Sequence, residues 1–207
     1  MALLSNRISL PQPMHPHGPM GRLFGRLMEW GNQNAYERAL TLMEPRHNGA
    51  FLEIGFGTGR LLEMVAQRQS GGVLAGIDPS SLMLERARRR LTNKGFMSDL
   101  KLGLADSLPW GEAQFDAVAA LHCFQFWPDP AKTIDEINRV LKKEGRLVLI
   151  LRNHEQAKNI DWLPNPLSRH RQEAAEAVKL LQKAGLGEIV RLPNVGTSPV
   201  ITARKPA

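Results

Sequence analysis

The sequence predicts an α/β fold, a mostly parallel sheet with helices on both faces. Three observations predict it. From about residue 50 to 151, short apolar runs alternate with segments of helical period, the pattern of βαβ units. A glycine loop, Gly55-Phe56-Gly57-Thr58-Gly59, joins the first run to the first helix. The chain has 207 residues, about one domain, and a domain of that size buries roughly 70% of its unfolded surface without a disulfide or metal.

Residues 1–20 are rich in Pro, His and Met without a period and read as a draped arm. A helical pattern runs from Gly21 to about Glu44 through Leu23, Leu27, Trp30, Ala35, Ala39, Leu40 and Met43, and Pro45 ends it. The expected division is therefore an N-terminal arm and helical cap at 1–48 and a ligand-binding domain at 49–207. Ala50 to Ile54 reads as the first strand, and a helix follows through Leu61, Leu62, Met64 and Val65 until Gly71-Gly72. Val73 to Ile77 is the second strand, closed by Asp78-Pro79; Leu84, Ala87 and Leu91 then share a helix face. Leu100–Leu104 and Phe115–Leu121 read as strands three and four. Asp129-Pro130 is an N-cap and first-turn proline for a helix burying Ile134, Ile137 and Leu141. Lys142 and Lys143 are expected at its negative end, with Gly145 as the stop. Arg146–Leu151 is the fifth strand, and a last helix carries Ala174, Ala177, Val178 and Leu181 up to Gly185. Glu188–Leu192 and Pro199–Ala203, parted by Pro193-Asn194-Val195-Gly196, read as an antiparallel hairpin.

Composition narrows the function classes. With 43% hydrophobic and 23% charged residues the chain is neither disordered nor a membrane bundle, and no run of about 18 apolar residues exists. The single cysteine, Cys123, forms no internal disulfide and rules out a Cys-rich zinc module. It fits a reducing, cytoplasmic setting. The net charge of +7 favours anionic partners in general. An acid-poor start with Arg7, Arg22 and Arg26 has the composition of a transit peptide, but Pro11, Pro13, Pro16 and Pro19 break the helix that one needs.

Chemistry concentrates at the glycine loop. It stands where a first strand turns into a first helix, the place where such sheets bind nucleotide-like ligands. Its spacing is G-x-G-x-G with Arg60 next, not the G-x-G-x-x-G of dinucleotide binders. Glu53 precedes it, and a carboxylate there repels a pyrophosphate and attracts a cation. The expected ligand is a cationic nucleoside. Asp78, ending the neighbouring strand, is placed to accept from a ribose diol; the competing reading makes it the N-cap of the next helix, with Pro79 in its first turn. Asp106 and Ser107 can accept from and donate to an adenine edge, or simply cap a loop before Pro109.

With those residues in place, the chain resembles the class I S-adenosylmethionine-dependent methyltransferases, and is similar to the ubiquinone/menaquinone-biosynthesis type. The resemblance rests on Phe51–Gly59, Gly76-Ile77-Asp78-Pro79-Ser80 with Met83–Ala87, Asp106–Trp110, Phe115–Val118 and Glu136–Lys142, in that order. It implies a Rossmann-like, doubly wound, seven-stranded sheet with a reversed last strand. It implies S-adenosylmethionine as cofactor and a small-molecule methyl acceptor. Glu53, Gly55, Gly57 and Gly59 would surround the methionine part, Asp78 the ribose, and Asp106 with Ser107 the adenine, with Thr58, Pro79 and His122 in the same wall. Lys143-Glu144-Gly145 departs from the family's frequent Pro-Gly-Gly turn, at a place far from the cofactor.

His122, after the fourth strand, is the candidate general base, since an imidazole titrates near neutrality; its alternative is a packed or hydrogen-bonded ring beside the cofactor. Phe124, Phe126 and Trp127 form an apolar wall or a cation-π contact with the sulfonium, or else pack the core. Arg86, Arg88, Arg89 and Arg90 read as a solvated helix face before a nucleic-acid surface, so no nucleic acid is expected. His15 and His17 lack the partners of a metal site, and no metal is expected. Trp162, in a loop with Pro164 and Pro166, either closes over a substrate or plugs the core edge. The rival function is a non-enzymatic cofactor-binding or RNA-associated module on the same fold.

Overall fold

The structure is a computed structural model that describes residues 31–152 and 173–207. The expectations for 1–30, including His15, His17 and Trp30, and for the segment around Trp162 lie outside the described residues. Seven strands form one sheet in the order β3-β2-β1-β4-β5-β7-β6. They are β1 Ala50–Ile54, β2 Val73–Asp78, β3 Asp99–Leu102, β4 Phe115–Leu121, β5 Leu141–Ile150, β6 Gly187–Val195 and β7 Ser198–Arg204. β1 to β5 are parallel, and β7 enters antiparallel between β5 and β6. The helices are α1 Gln33–Met43, α2 Arg60–Arg68, α3 Ser81–Thr92, α4 Pro130–Val140 and α5 Glu173–Lys183. The expected seven-stranded, doubly wound architecture with a reversed last strand is what the chain adopts.

Strand alternation sorts the core into two layers. Leu52, Ile54, Val118 and Ala120 meet Ile134, Ile137, Ala177 and Leu181 of α4 and α5 on one face. Phe51, Ala117 and Ala119 meet Leu61 and Val65 of α2 and Ala87 and Leu91 of α3 on the other. Both faces of the central strands are therefore apolar, which is why they read as near-continuous hydrophobic runs. Helix α1 belongs to this second layer: Ala35, Tyr36, Ala39, Leu40 and Met43 are buried in it.

Local boundaries show where tertiary contacts overrode local signals. Helix α4 starts as expected, with Asp129 Oδ1 accepting from Lys132 N at 3.0 Å and Pro130 in the first turn. It ends early, at Val140. Leu141 is extended and pairs with Phe115, opening β5. Lys142 therefore does not sit on the helix end; its Nζ binds both oxygens of Asp116, at 2.9 and 2.8 Å. The cation on the last carbonyls of α4 is Lys205, whose Nζ donates to Asn138 O at 2.7 Å and Leu141 O at 2.9 Å. β3 stops at Leu102, short of the expected Leu104, with Gly103 N making the last bond to β2 at Asp78 O, 3.1 Å. The terminal hairpin extends through Val195, so its turn is Gly196-Thr197 and Pro193 lies within β6. There Pro193 falls in the register shift between Leu192 and Val195, on the strand at the sheet edge.

Candidate functional site

The strand order reverses between β1 and β4, so the carboxyl ends of these neighbours leave a crevice. The glycine loop leaves β1 into it, and the β4 end contributes Leu121, His122 and Cys123. Two cavities share Gly55 and Gly57. The first is lined by Ile77, Asp78, Pro79, Leu104, Ala105, His122, Cys123, Phe126 and Trp127 among others. The second is lined by Asn32, Tyr36, Glu53, Phe56, Thr58 and Met83. A cavity of about 310 Å³ lies at the opposite end of the sheet. Its cations Lys142 and Arg146 are already tied to Asp116 and Glu44, and it contains none of the loop's groups.

The glycines divide by role. Gly55, Gly57 and Gly59 all have φ between 52° and 75°, a region that disfavours other residues. A Cβ at Gly55 would stand 2.9 Å from Cys123 Cβ, and one at Gly59 2.8 Å from Ala87 Cβ. Those two permit close packing of the loop on β4 and of α2 on α3. A Cβ at Gly57 would meet no atom within 4 Å. Of the three, Gly57 alone borders open space.

Two buried carboxylates face the loop. Glu53 is 2% exposed; one side receives the Leu62 N–H, while Oε2 has no hydrogen-bond partner among the described residues. Burial, reinforced by the charge of Asp78, pushes its carboxyl well above the usual range. Asp78 Oδ1 accepts from Ser80 N and Oδ2 from Gly57 N, both at 2.8 Å. Burial raises Asp78 to about 6, against the pull of these two N–H groups. It does not cap α3: the N-cap is Ser80, whose Oγ accepts from Met83 N at 3.3 Å. Asp78 instead ties the glycine loop to the β2–α3 turn. Thr58 Oγ1 takes a bond from Arg90 Nη1 at 3.1 Å, which anchors the loop to α3.

Asp106 is half-buried and Ser107 exposed, and neither lines these cavities; Leu104 and Ala105 of the same loop do. That loop is held from α4. Glu136 Oε2 accepts from Leu108 N at 2.7 Å, and Arg139 donates to Leu108 O at 3.0 Å and Trp110 O at 2.8 Å. The Glu136–Arg139 motif is thus a scaffold for the crevice wall, a role that sequence spacing does not reveal.

His122 has φ +52°, held by its N–H donating to Ile150 O at 2.7 Å. Both ring nitrogens are engaged: Nδ1 with Asn32 Oδ1 at 2.9 Å and Nε2 with Ser198 Oγ at 3.0 Å. Burial, then the charge of Arg152, lowers its pKa to about 4, so the ring is neutral at physiological pH. Asn32 and Ser198 have no local sequence signal, lying 90 and 76 positions away. Cys123 is half-buried and lines the first cavity; burial pushes its thiol far up, so the group is held as the thiol, with Sγ donating to Ile54 O at 3.3 Å. Phe124 and Trp127 are buried with centroids 5.0 Å apart, so this pair packs the core beneath the crevice.

Comparison with known proteins accords with this geometry. A family model described as a methyltransferase domain matches residues 52–149. YdaC of Bacillus subtilis, named as an uncharacterised methyltransferase, is 29% identical over 88% of this chain and 98% of its own length. A demethylmenaquinone methyltransferase of Thermotoga maritima is 30% identical over 62% of this chain, which spans 55% of that enzyme. Among solved structures, one from the complex of the Haloferax volcanii Trm112 methyltransferase activator with a methyltransferase shares the fold, with a TM-score of 0.72, 19% identity and coverage of 89% of this chain and 94% of that one. Together with the G-x-G-x-G loop and its two carboxylates, these matches identify residues 52–149 as a methyltransferase domain of the class I S-adenosylmethionine-dependent type.

Proposed function

We propose that the chain methylates a small-molecule acceptor at the crevice between β1 and β4. When bound, S-adenosylmethionine supplies an electrophilic methyl group on a cationic sulfur. The residues present fit that cofactor, and the unpartnered Oε2 of Glu53 is the observation that carries the reading. A buried acceptor without a partner is costly, and a ligand ammonium satisfies both its charge and its hydrogen bond. Gly57 leaves room for the ligand against the main chain, and Asp78 keeps lone pairs for a ribose diol. Gly55 and Gly59 serve by packing the loop, Thr58 by anchoring it, and Pro79 by closing the wall. Asp106 and Ser107 reach an adenine edge only if their loop moves inward on binding. Of the N-terminal segment, α1 and its N-cap act as the cap, bringing Asn32 and Tyr36 to the second cavity.

Rate enhancement on this reading comes from orientation and exclusion of water, for which an apolar wall of Ile77, Leu104, Ala105 and Trp127 is suited. A nucleic-acid acceptor is not favoured. Arg88 donates to Leu100 O, Arg89 pairs with Glu85, and Arg90 pairs with Glu63, so the basic run is spent on the protein itself. Among the described residues no helix is long and apolar enough to cross a membrane, and no cluster of metal ligands occurs. A reducing, cytoplasmic setting belongs to the same proposal, supported by the lone free Cys123. Transfer of a labelled methyl from S-adenosylmethionine to a panel of phenols, quinols, amines and thiols tests it. Labelling of a small molecule supports the reading. Cofactor binding with label only in RNA, or with no turnover across the panel, favours the RNA-associated or non-enzymatic alternative.

A further inference from the structure

Asn32 stands at the N-cap of α1, where an Asn side chain ordinarily bonds the first turn of its own helix. It makes no such bond; its Oδ1 reaches His122 Nδ1 at 2.9 Å instead. On the other side of the ring, Ser198, the first residue of β7, places Oγ 3.0 Å from Nε2. An amide oxygen only accepts, so Nδ1 carries the proton and Nε2 is left with its lone pair, toward which the serine hydroxyl donates. Three segments far apart in sequence thus converge on one ring, and that ring lines the cavity beside Gly55 and Gly57. Base, orienting amide and hydroxyl stand in the order of a generalised catalytic relay.

We propose that Asn32 and Ser198 are positioning residues that fix His122 as the neutral Nδ1–H tautomer, making the His122–Ser198 pair the proton acceptor for a methyl acceptor that must shed a proton. This rests on the methyltransferase reading of the site. The acceptor's electron pair forms the new bond to carbon, and the sulfur–carbon pair stays on sulfur. The acceptor's proton passes to Ser198 Oγ as the Ser198 hydroxyl proton passes to Nε2. The positive charge lost from sulfur then resides on the imidazolium, and the site's net charge is unchanged. Asn32 orients the ring throughout through the Nδ1–H bond. Burial and the charge of Arg152 keep the ring uncharged before transfer, so the ring itself adds no positive charge beside a cationic cofactor.

The test is long-range proton–nitrogen NMR of the full chain with nitrogen-15 histidine, with and without saturating S-adenosylhomocysteine, His122 being assigned by its absence in His122→Gln. The expected result is a proton on Nδ1, none on Nε2, and no titration between pH 8 and 5. Asn32→Asp, nearly isosteric, places a carboxylate on Nδ1 and should raise the titration midpoint by at least one pH unit. Asn32→Leu should release the lock and populate the Nε2–H form, while Ser198→Ala should shift the Nε2 signal alone. A proton on Nε2 in the parent chain, or an unmoved midpoint in Asn32→Asp, overturns the proposal. Calorimetry with S-adenosylhomocysteine on the same samples separates the two readings. Absence of binding removes the functional reading on which the relay rests, whereas the tautomer result overturns the relay alone.

Discussion

Replacing Asp78 by Asn removes one charge and leaves the shape. In the folded chain Asp78 titrates at about 6, against an ordinary value of 3.8. At 1.36 kcal/mol per pH unit, keeping this buried carboxylate ionised at pH 7 costs about 3 kcal/mol of stability relative to the unfolded chain. The sign follows from a raised acid pKa. Its cost is absent below about pH 4, grows as pH rises through that window, and is complete above about 6. Asn escapes it, but its single oxygen accepts from only one of Gly57 N and Ser80 N, which leaves the other unpaired at about 1–3 kcal/mol. Chemical denaturation at pH 4 and pH 7 reads the difference. The variant should be the weaker protein at pH 4 and regain up to about 3 kcal/mol on the parent by pH 7. Cofactor affinity should move the other way. Losing charge-assisted bonds to a ribose diol, at about 1.5–3 kcal/mol each, lowers affinity roughly 10- to 1,000-fold. A stability gap that stays flat with pH would refute the burial argument, and unchanged affinity for S-adenosylhomocysteine would reduce Asp78 to a strut for the loop.

Other perturbations separate packing from binding. Gly57→Ala puts a methyl into open space and should weaken S-adenosylhomocysteine binding at least tenfold at a stability loss of about 1–2 kcal/mol, whereas Gly59→Ala, 2.8 Å from Ala87 Cβ, should lose more stability; thermal melts with and without ligand distinguish them. Glu63 is 3% exposed and gathers Arg60, Arg90 and Lys94, so Glu63→Gln should cost about 1–3 kcal/mol at pH 7. These partners hold the Glu63 carboxyl below its usual range, so that stabilisation is present above about pH 4.5 and should fade as acid protonates it, as acid denaturation of both proteins would show. Lys205→Met frees the carbonyls of Asn138 and Leu141 and should lower stability by about 1–3 kcal/mol without changing ligand affinity. Deleting residues 1–44 removes the five buried side chains of α1, so circular dichroism should report unfolding and not merely an opened crevice.

What the sequence makes legible follows from how local the cause is. The strands of the sheet centre are short apolar runs bounded by glycine or proline, and Ala50–Ile54 and Phe115–Leu121 match their expected limits. The glycine loop and Glu53 are contiguous, so their shared site is readable. Long-range partners are not. The end of α4 depends on Leu141 pairing with Phe115 and on Lys205 arriving from the C-terminus. That Ser80 caps α3 while Asp78 reaches back to Gly57 is decided by the packing of β2 on β1, not by the Asp-Pro-Ser run. The loop of Asp106 and Ser107 is set by Arg139, some thirty positions on, and turns Leu104 and Ala105 to the cavity instead. His122 is visible as a candidate base, but the two side chains that engage its ring come from the N-cap of α1 and from β7.

We propose that Glu53, Gly57 and Asp78 together hold a cationic adenosyl cofactor. Calorimetric titration of the parent chain and of Glu53→Gln with S-adenosylmethionine and with NAD tests it most directly. The expected result is binding of S-adenosylmethionine by the parent chain, none of NAD at the same concentration, and at least a tenfold loss in Glu53→Gln, whose neutral amide no longer pairs with an ammonium. Preferential binding of NAD, or equal S-adenosylmethionine affinity in the two proteins, would contradict it.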